Sequence, residues 1–125
     1  MRQELQDKLS ADFPQIFQDV GCCPTKSCMA FGLEVGDGWY DLIHNLCQAI
    51  MATNPPEDFK AAQVKEKFGG LRFYTDGCTE ETYRLVNLAE DDSYKICEDC
   101  GSRENVTCEP SPSWITTLCK GCRNK

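Results

Sequence analysis

Apolar residues recur at helical spacing between positions 39 and 51. Trp39, Leu42, Ile43, Leu46 and Ile50, with Cys47 and Met51 at the edge, fall at i, i+3, i+4 and i+7, which predicts a helix buried along one stripe. Gly36-Asp37-Gly38 precedes it, offering Asp37 as N-cap, and Asn54-Pro55-Pro56 stops it. Leu5, Leu9, Ile16, Phe17 and Val20 also follow helical spacing, broken at 10–14, where Asp12 or Phe13 would cap a second short helix with Pro14 in its first turn. Residues 31–35 alternate like a short strand. Residues 63–68 and 71–75 predict a β-hairpin joined by Gly69-Gly70, since a Gly-Gly loop suits the primed turns that match strand twist. Val64, Glu66 and Phe68 are then placed on the packed face, with Lys65 and Lys67 on the solvated one. Thr79 is placed to cap a third helix over 80–92, with Tyr83, Leu85, Val86, Leu88 and Ala89 as its apolar residues.

The pattern predicts an α+β fold: three helices on a small antiparallel sheet built around the 63–75 hairpin. It divides the chain into an α+β domain, 1–92, and a C-terminal module, 93–125, in which residues 114–118 form a strand. The chain has 125 residues, 10 of them cysteine, and a hydrophobic content of 41%, enough for a modest core. Met1–Lys8 lacks the apolar stretch of a secretion signal, and no segment approaches the ~18 apolar residues of a membrane span. Paired cysteines in a reducing compartment more often hold metal than each other. The expectation is a cytoplasmic protein, with zinc in place of disulfides and no membrane partner.

Cys97-Glu-Asp-Cys100-Gly and Cys119-Lys-Gly-Cys122 carry the most specific chemistry. Each C-x-x-C lets two thiolates reach one ion from a single turn, and residues 101–118 between the pairs give the separation of a zinc ribbon. All four positions are sulfur, so the site reads as structural, with no open place for a catalytic water; Cys108 lies in the loop as a substitute ligand. Cys22, Cys23 and Cys28 share one loop, and His44 and Cys47 lie at i and i+3 on the best helix. Cys23, Cys28, His44 and Cys47 are thus candidates for a second metal. The plainer alternative is that Cys47 is a small buried hydrophobe and His44 a solvated histidine. A catalytic Cys–His pair is disfavoured, because Asp41, His44 and Cys47 on one helical surface provide neither cleft nor oxyanion hole.

Net charge is −7 at pH 7 and unevenly spread: residues 1–92 hold 8 Lys/Arg against 16 Asp/Glu, residues 93–125 hold 5 against 4. Such a field repels phosphate backbones and favours basic protein surfaces, so direct nucleic-acid binding is disfavoured. Glu34, Asp37 and Asp41 bracket a strand–helix junction, Glu80 and Glu81 open a helix, and Glu90-Asp91-Asp92 close it against its macrodipole. These are candidate partner-binding residues. The aromatic hairpin, with Phe68, Leu71, Phe73 and Tyr74 beside Lys65, Lys67 and Arg72, has the make-up of a base-stacking surface, but core packing is favoured by the charge around it.

Phe31-Gly-Leu-Glu-Val-Gly-Asp-Gly-Trp-Tyr-Asp-Leu-Ile43, Gln63-Val-Lys-Glu-Lys-Phe-Gly-Gly-Leu-Arg-Phe-Tyr74, Cys97-Glu-Asp-Cys-Gly101 and Thr117-Leu-Cys-Lys-Gly-Cys122 occur in that order. In these strings, which span most of residues 30–122, the chain resembles a group of small cysteine-containing proteins of bacteria and their phages. The resemblance implies a context, a small cytosolic protein of phage or mobile-element type in a bacterial host cell; with the small size and acidic balance, the expected function is a non-enzymatic inhibitor of a host protein complex such as a CRISPR effector. The alternative from another class is a zinc-ribbon nucleic-acid adaptor using Arg103, Lys120, Arg123 and Lys125 with the hairpin cations Lys65, Lys67 and Arg72.

Overall fold

The computed structural model of the chain describes residues 1–110 and 114–125. Helix α1 spans Gln3–Asp12 and α2 spans Tyr40–Ala52; α2 shares one core with a sheet of strands β1 (Leu33–Glu34), β2 (Lys60–Lys67) and β3 (Gly70–Asp76). Helix α3 (Glu80–Ser93) follows, then β4 (Val106–Pro110), β5 (Ile115–Cys119) and the single turn α4 (Lys120–Arg123). The α+β class is as the sequence predicts, with α4 added to the three expected helices.

The α2 stripe behaves as its spacing requires: Trp39, Leu42, Ile43, Leu46, Cys47 and Ile50 are all buried. Its entry differs. Asp37 lies in a 3₁₀ turn, Asp37–Trp39, and does not cap the helix. It accepts instead from the Arg2 backbone N–H at 2.8 Å and pairs with the Arg2 guanidinium at 2.9 Å. At the other end Thr53 Oγ1 donates to the Ile50 carbonyl at 2.7 Å before the proline pair.

The sheet is mixed, not antiparallel throughout. Strand order is β1-β2-β3, with β1 parallel to β2 and β2 antiparallel to β3. Parallel pairing follows from connectivity, because α2 is the crossover that returns the chain beside β1. The hairpin turn is Phe68-Gly69, one residue earlier than predicted, with Lys67 opposite Gly70. Both turn residues have positive φ, 54° and 84°, as a type I′ turn demands. Gly70 is a glycine for another reason: a Cβ there would sit 2.3 Å from the Tyr94 hydroxyl oxygen. Phe68 consequently projects from the tip, 63% exposed, and does not join Val64 on the packed face.

Helix α3 opens as predicted, with Thr79 and Thr82 satisfying each other's backbone N–H groups. Its buried face is Thr82, Val86, Ala89 and Ser93, while Tyr83 and Leu88 are exposed. Of its two polar members, Thr82 belongs to the cap and Ser93 is claimed by β3, as is the half-buried Glu90 beside it. Ser93 Oγ accepts from the Leu71 N–H at 2.9 Å, and Glu90 Oε2 accepts from the Phe73 N–H at 2.8 Å. At the far side of the sheet Gln6 Oε1, on α1, accepts from the Leu33 N–H at 3.0 Å.

No second short helix forms after α1. Residues 14–21 are a run of turns that buries Ile16 and Phe17, the latter edge-on to Phe73 at 6.5 Å. The same run buries Asp19, whose carboxylate lies 2.8 Å from Lys60 Nζ and 3.4 Å from Lys26 Nζ. The hydrogen bond from Lys60 holds the Asp19 carboxyl below its ordinary value of 3.8. A lowered pKa stabilises the fold above the unfolded value and is lost as pH falls through the folded one. Asp19→Asn is expected to cost about 1–3 kcal/mol, the penalty for breaking a buried polar contact. In urea unfolding the deficit should be constant from pH 7 to pH 5 and shrink only below about pH 4.

The C-terminal segment is tied to the rest by specific contacts. Ile96 belongs to the main core, and the Trp39 indole N–H donates to its carbonyl at 2.9 Å in a buried setting. Thr117 Oγ1, on β5, donates to the Gly69 carbonyl at 2.6 Å. Among the described residues no helix is long and apolar enough to cross a membrane.

Candidate metal centre

Two tight turns supply the site. The first begins where α3 has ended: the Cys97 N–H donates to the Ser102 carbonyl at 2.8 Å and the Gly101 N–H to the Cys97 carbonyl at 2.9 Å. Gly101 has φ of 81°, a left-handed conformation that favours glycine over any side chain. The second turn hangs from β5, where Cys119 caps α4 by accepting the Cys122 N–H on its Sγ at 3.4 Å. Cys119 is positioned by its strand partner Val106 and by the Lys120 N–H, which donates to the Asn105 carbonyl at 2.9 Å.

The four Sγ atoms of Cys97, Cys100, Cys119 and Cys122 lie within 4.8 Å of one another, and Cys100 and Cys119 are 3.6 Å apart. A tetrahedron of sulfurs about 2.3 Å from one ion has edges of about 3.8 Å, so the set fits a single metal ion. Cys97 and Cys119 are buried, Cys122 is half-buried and Cys100 is exposed. The Cys122 backbone N–H draws the Cys119 thiol down to about 7, while hydrogen bonding to Cys119 pushes Cys122 up to about 12. One sulfur therefore surrenders its proton readily, and an ion displaces the protons of the others.

What the first turn rests on was not anticipated. Gly36 donates its N–H to Glu98 Oε2 at 2.9 Å, and Gly38 donates to the Glu98 carbonyl at 2.7 Å. A Cβ on Gly38 would lie 2.2 Å from the Cys97 carbonyl oxygen, and one on Gly36 2.3 Å from that of Glu98. The Gly-x-Gly before α2, read as a turn, is the seat for the metal turn. Burial there raises the Glu98 carboxyl to about 6. From the opposite side the Glu98 N–H donates to the Thr117 carbonyl at 3.0 Å.

The second candidate set is not brought together. Among the described residues, Cys97, Cys100, Cys119 and Cys122 form the only group of three or more potential ligands within mutual reach. Cys47 is buried within α2, and burial pushes its thiol up. His44 packs edge-on to Phe13 at 5.1 Å, with Asp12 3.6 Å from its Nε2. Cys23 and Cys28 are exposed on their loop, Cys23 bonded to Thr25 Oγ1 at 3.0 Å. Cys108 contacts the Phe68 carbonyl at 3.8 Å, away from the cluster.

The acidic residues divide by role. Glu90 is held by β3, Asp37 by Arg2, and Asp92 by two bonds from Arg103, at 3.1 and 2.7 Å. Glu34, Asp41, Glu80, Glu81 and Asp91 are exposed and make no ion pair among the described residues. A concavity of about 280 Å³ brings Asp37 and Asp41 beside Cys100 and Asp99, an exposed carboxylate that the sequence offered only as a spacer between ligands. Asp41 also lines a second cleft of about 270 Å³ with Asp92 and Arg103. Glu80 and Glu81 stand at the other end of α3, about 20 Å away at 1.5 Å per residue.

Comparison with known protein families, with curated proteins and with solved structures gave no match. The centre is therefore interpreted on its own chemistry.

Proposed function

We propose that this chain is a zinc-stapled binding protein, without enzymatic activity, that docks an acidic face onto a basic surface of a partner protein. The observation that carries the reading is the placement of Asp41 and Asp99, both exposed and outside every ion pair among the described residues, beside Cys100 at the first metal turn, flanked by the Arg2–Asp37 and Arg103–Asp92 pairs. Zinc is the ion of choice because four thiolates in a tetrahedron suit it, and they leave no coordination position for a reacting water. With four thiolates the centre adds about −2 to that face. A partner with this complementarity is one whose own basic groove handles nucleic acid. The resemblance to phage-type proteins supports an inhibitor of a host defence complex, such as a CRISPR effector, in the bacterial cytoplasm.

A nucleic-acid adaptor is less well supported by the same side chains. The Arg123 guanidinium is committed to the Thr107 carbonyl at 2.6 Å and the Thr116 carbonyl at 3.1 Å, and Arg103 to Asp92. Of the four C-terminal cations that reading needs, Lys120 and Lys125 remain, and of the hairpin cations that would join them Arg72 is bonded to the Leu71 carbonyl at 3.0 Å. The test is affinity capture from nuclease-treated bacterial lysate with the wild type and with Asp41→Lys/Asp99→Lys. A stoichiometric protein complex should survive nuclease and fall at least about tenfold with the double variant, roughly the loss of two interfacial charge contacts. Equal recovery by both proteins would rule out the acidic face, and recovery abolished by nuclease would favour the adaptor.

A further inference from the structure

We propose that the cysteine centre is also a redox-operated release, in which Cys100 meets the oxidant and Cys119 closes on it as a disulfide between the two turns. The inference rests on the metal assignment above. Cys100 is the only exposed member of the set, so an oxidant arriving from solvent reaches it first. Facing it across the site, Cys119 Sγ lies 3.6 Å away, so that a Cys100 sulfur which oxidation has weakened as a ligand is within a short movement of bonding distance. Cys119 also receives the Cys122 N–H, which stabilises negative charge on the sulfur that attacks.

With a peroxide as oxidant the steps balance. The Cys100 sulfur attacks one peroxide oxygen, the O–O bond breaks, and a sulfenic acid forms as the first water leaves. The Cys119 thiolate then attacks the Cys100 sulfur, forming the S–S bond and expelling that oxygen as the second water. Two electrons pass from the two sulfurs to the peroxide, and two protons come from solvent. Disulfide sulfurs are no longer anionic donors, so two of the four ligands are lost together and the ion departs. Because Glu98 links this turn to Gly36 and Gly38, the release is transmitted to the start of α2.

The test uses the zinc-loaded full chain and one equivalent of hydrogen peroxide. A chromophoric chelator reads the zinc set free, and peptide mass spectrometry after alkylation maps the disulfide. A parallel variant with Cys22, Cys23, Cys28, Cys78 and Cys108 changed to serine removes competing thiols that lie outside the cluster. The expected result is one zinc released per chain with a Cys100–Cys119 bond, reversed by a dithiol reductant and added zinc. A bond within one turn, Cys97–Cys100 or Cys119–Cys122, overturns the proposal, as does zinc retained after the peroxide is consumed. A chain that takes up no zinc before oxidation defeats the metal assignment, and this inference with it.

Discussion

Gly38→Ala is expected to unseat the metal turn and to destabilise the chain by about 3 kcal/mol, the upper range for forcing a group into filled space. The new Cβ would lie 2.2 Å from the Cys97 carbonyl oxygen and 2.6 Å from both the Glu98 carbonyl oxygen and the Gly101 nitrogen. All three are backbone atoms, so no side chain can swing aside. Relief requires the turn to move off α2, breaking the 2.7 Å bond from the Gly38 N–H to Glu98. Zinc affinity should drop with stability, as read by competition against a chromophoric chelator. Gly121→Ala is the control, since its Cβ meets nothing within 4 Å and should change stability by less than about 0.5 kcal/mol. If the two variants behave alike, the docking of the turn onto Gly38 contributes nothing.

Removal of the ion should have the largest effect of all. Cys119→Ser deletes a buried ligand and the cap of α4 at once. Structural zinc contributes roughly 10–16 kcal/mol of apparent binding free energy in small peptides, comparable with the whole stability of a domain, about 5–15 kcal/mol. The variant, or the wild type in excess chelator, should lose more than about 3 kcal/mol in denaturant unfolding. The loss should also reach the main core. Near-ultraviolet circular dichroism in a Trp114→Phe background, which leaves Trp39 as the single tryptophan, is the readout, because the Trp39 indole is held by Ile96, the residue just before the first ligand. Cys108→Ser, outside the cluster, should leave both signals intact. A Trp39 signal unaffected by metal removal would mean that the module folds independently, as the 93–125 boundary implied.

The elements that could be read in the sequence are those fixed by local rules. The α2 stripe, the Thr79 cap and the two C-x-x-C turns each depend on residues a few positions apart, where periodicity and ligand spacing are sufficient. The misreadings came from contacts distant in sequence. Gly70 looked like a turn residue, yet it is small because Tyr94 covers it. Asp37 looked like a cap, and Arg2 claims it instead. Glu90 looked like a surface charge alone, and its bond to the Phe73 N–H of β3 had no local sign. The buried Asp19 gave no signal, since nothing local reveals that Lys60 will lie beside it. At the candidate metal site the four cysteines were legible and their seat was not. Gly36 and Gly38 carry the information that they must admit another backbone, but only the arrival of Cys97 and Glu98 shows which one.

The hydrogen bonds from Leu71, Phe73 and Leu33 to side chains of α3 and α1 have a consequence for how this protein meets others. Those three N–H groups belong to the two outermost strands of the sheet, where an unsatisfied backbone recruits further strands. Ser93, Glu90 and Gln6 fill those positions from within. The sheet is thereby guarded against growing into a polymer, and a partner cannot extend it at these points. Recognition is left to side chains displayed on the surface, whose charges can change while the strands beneath stay as they are.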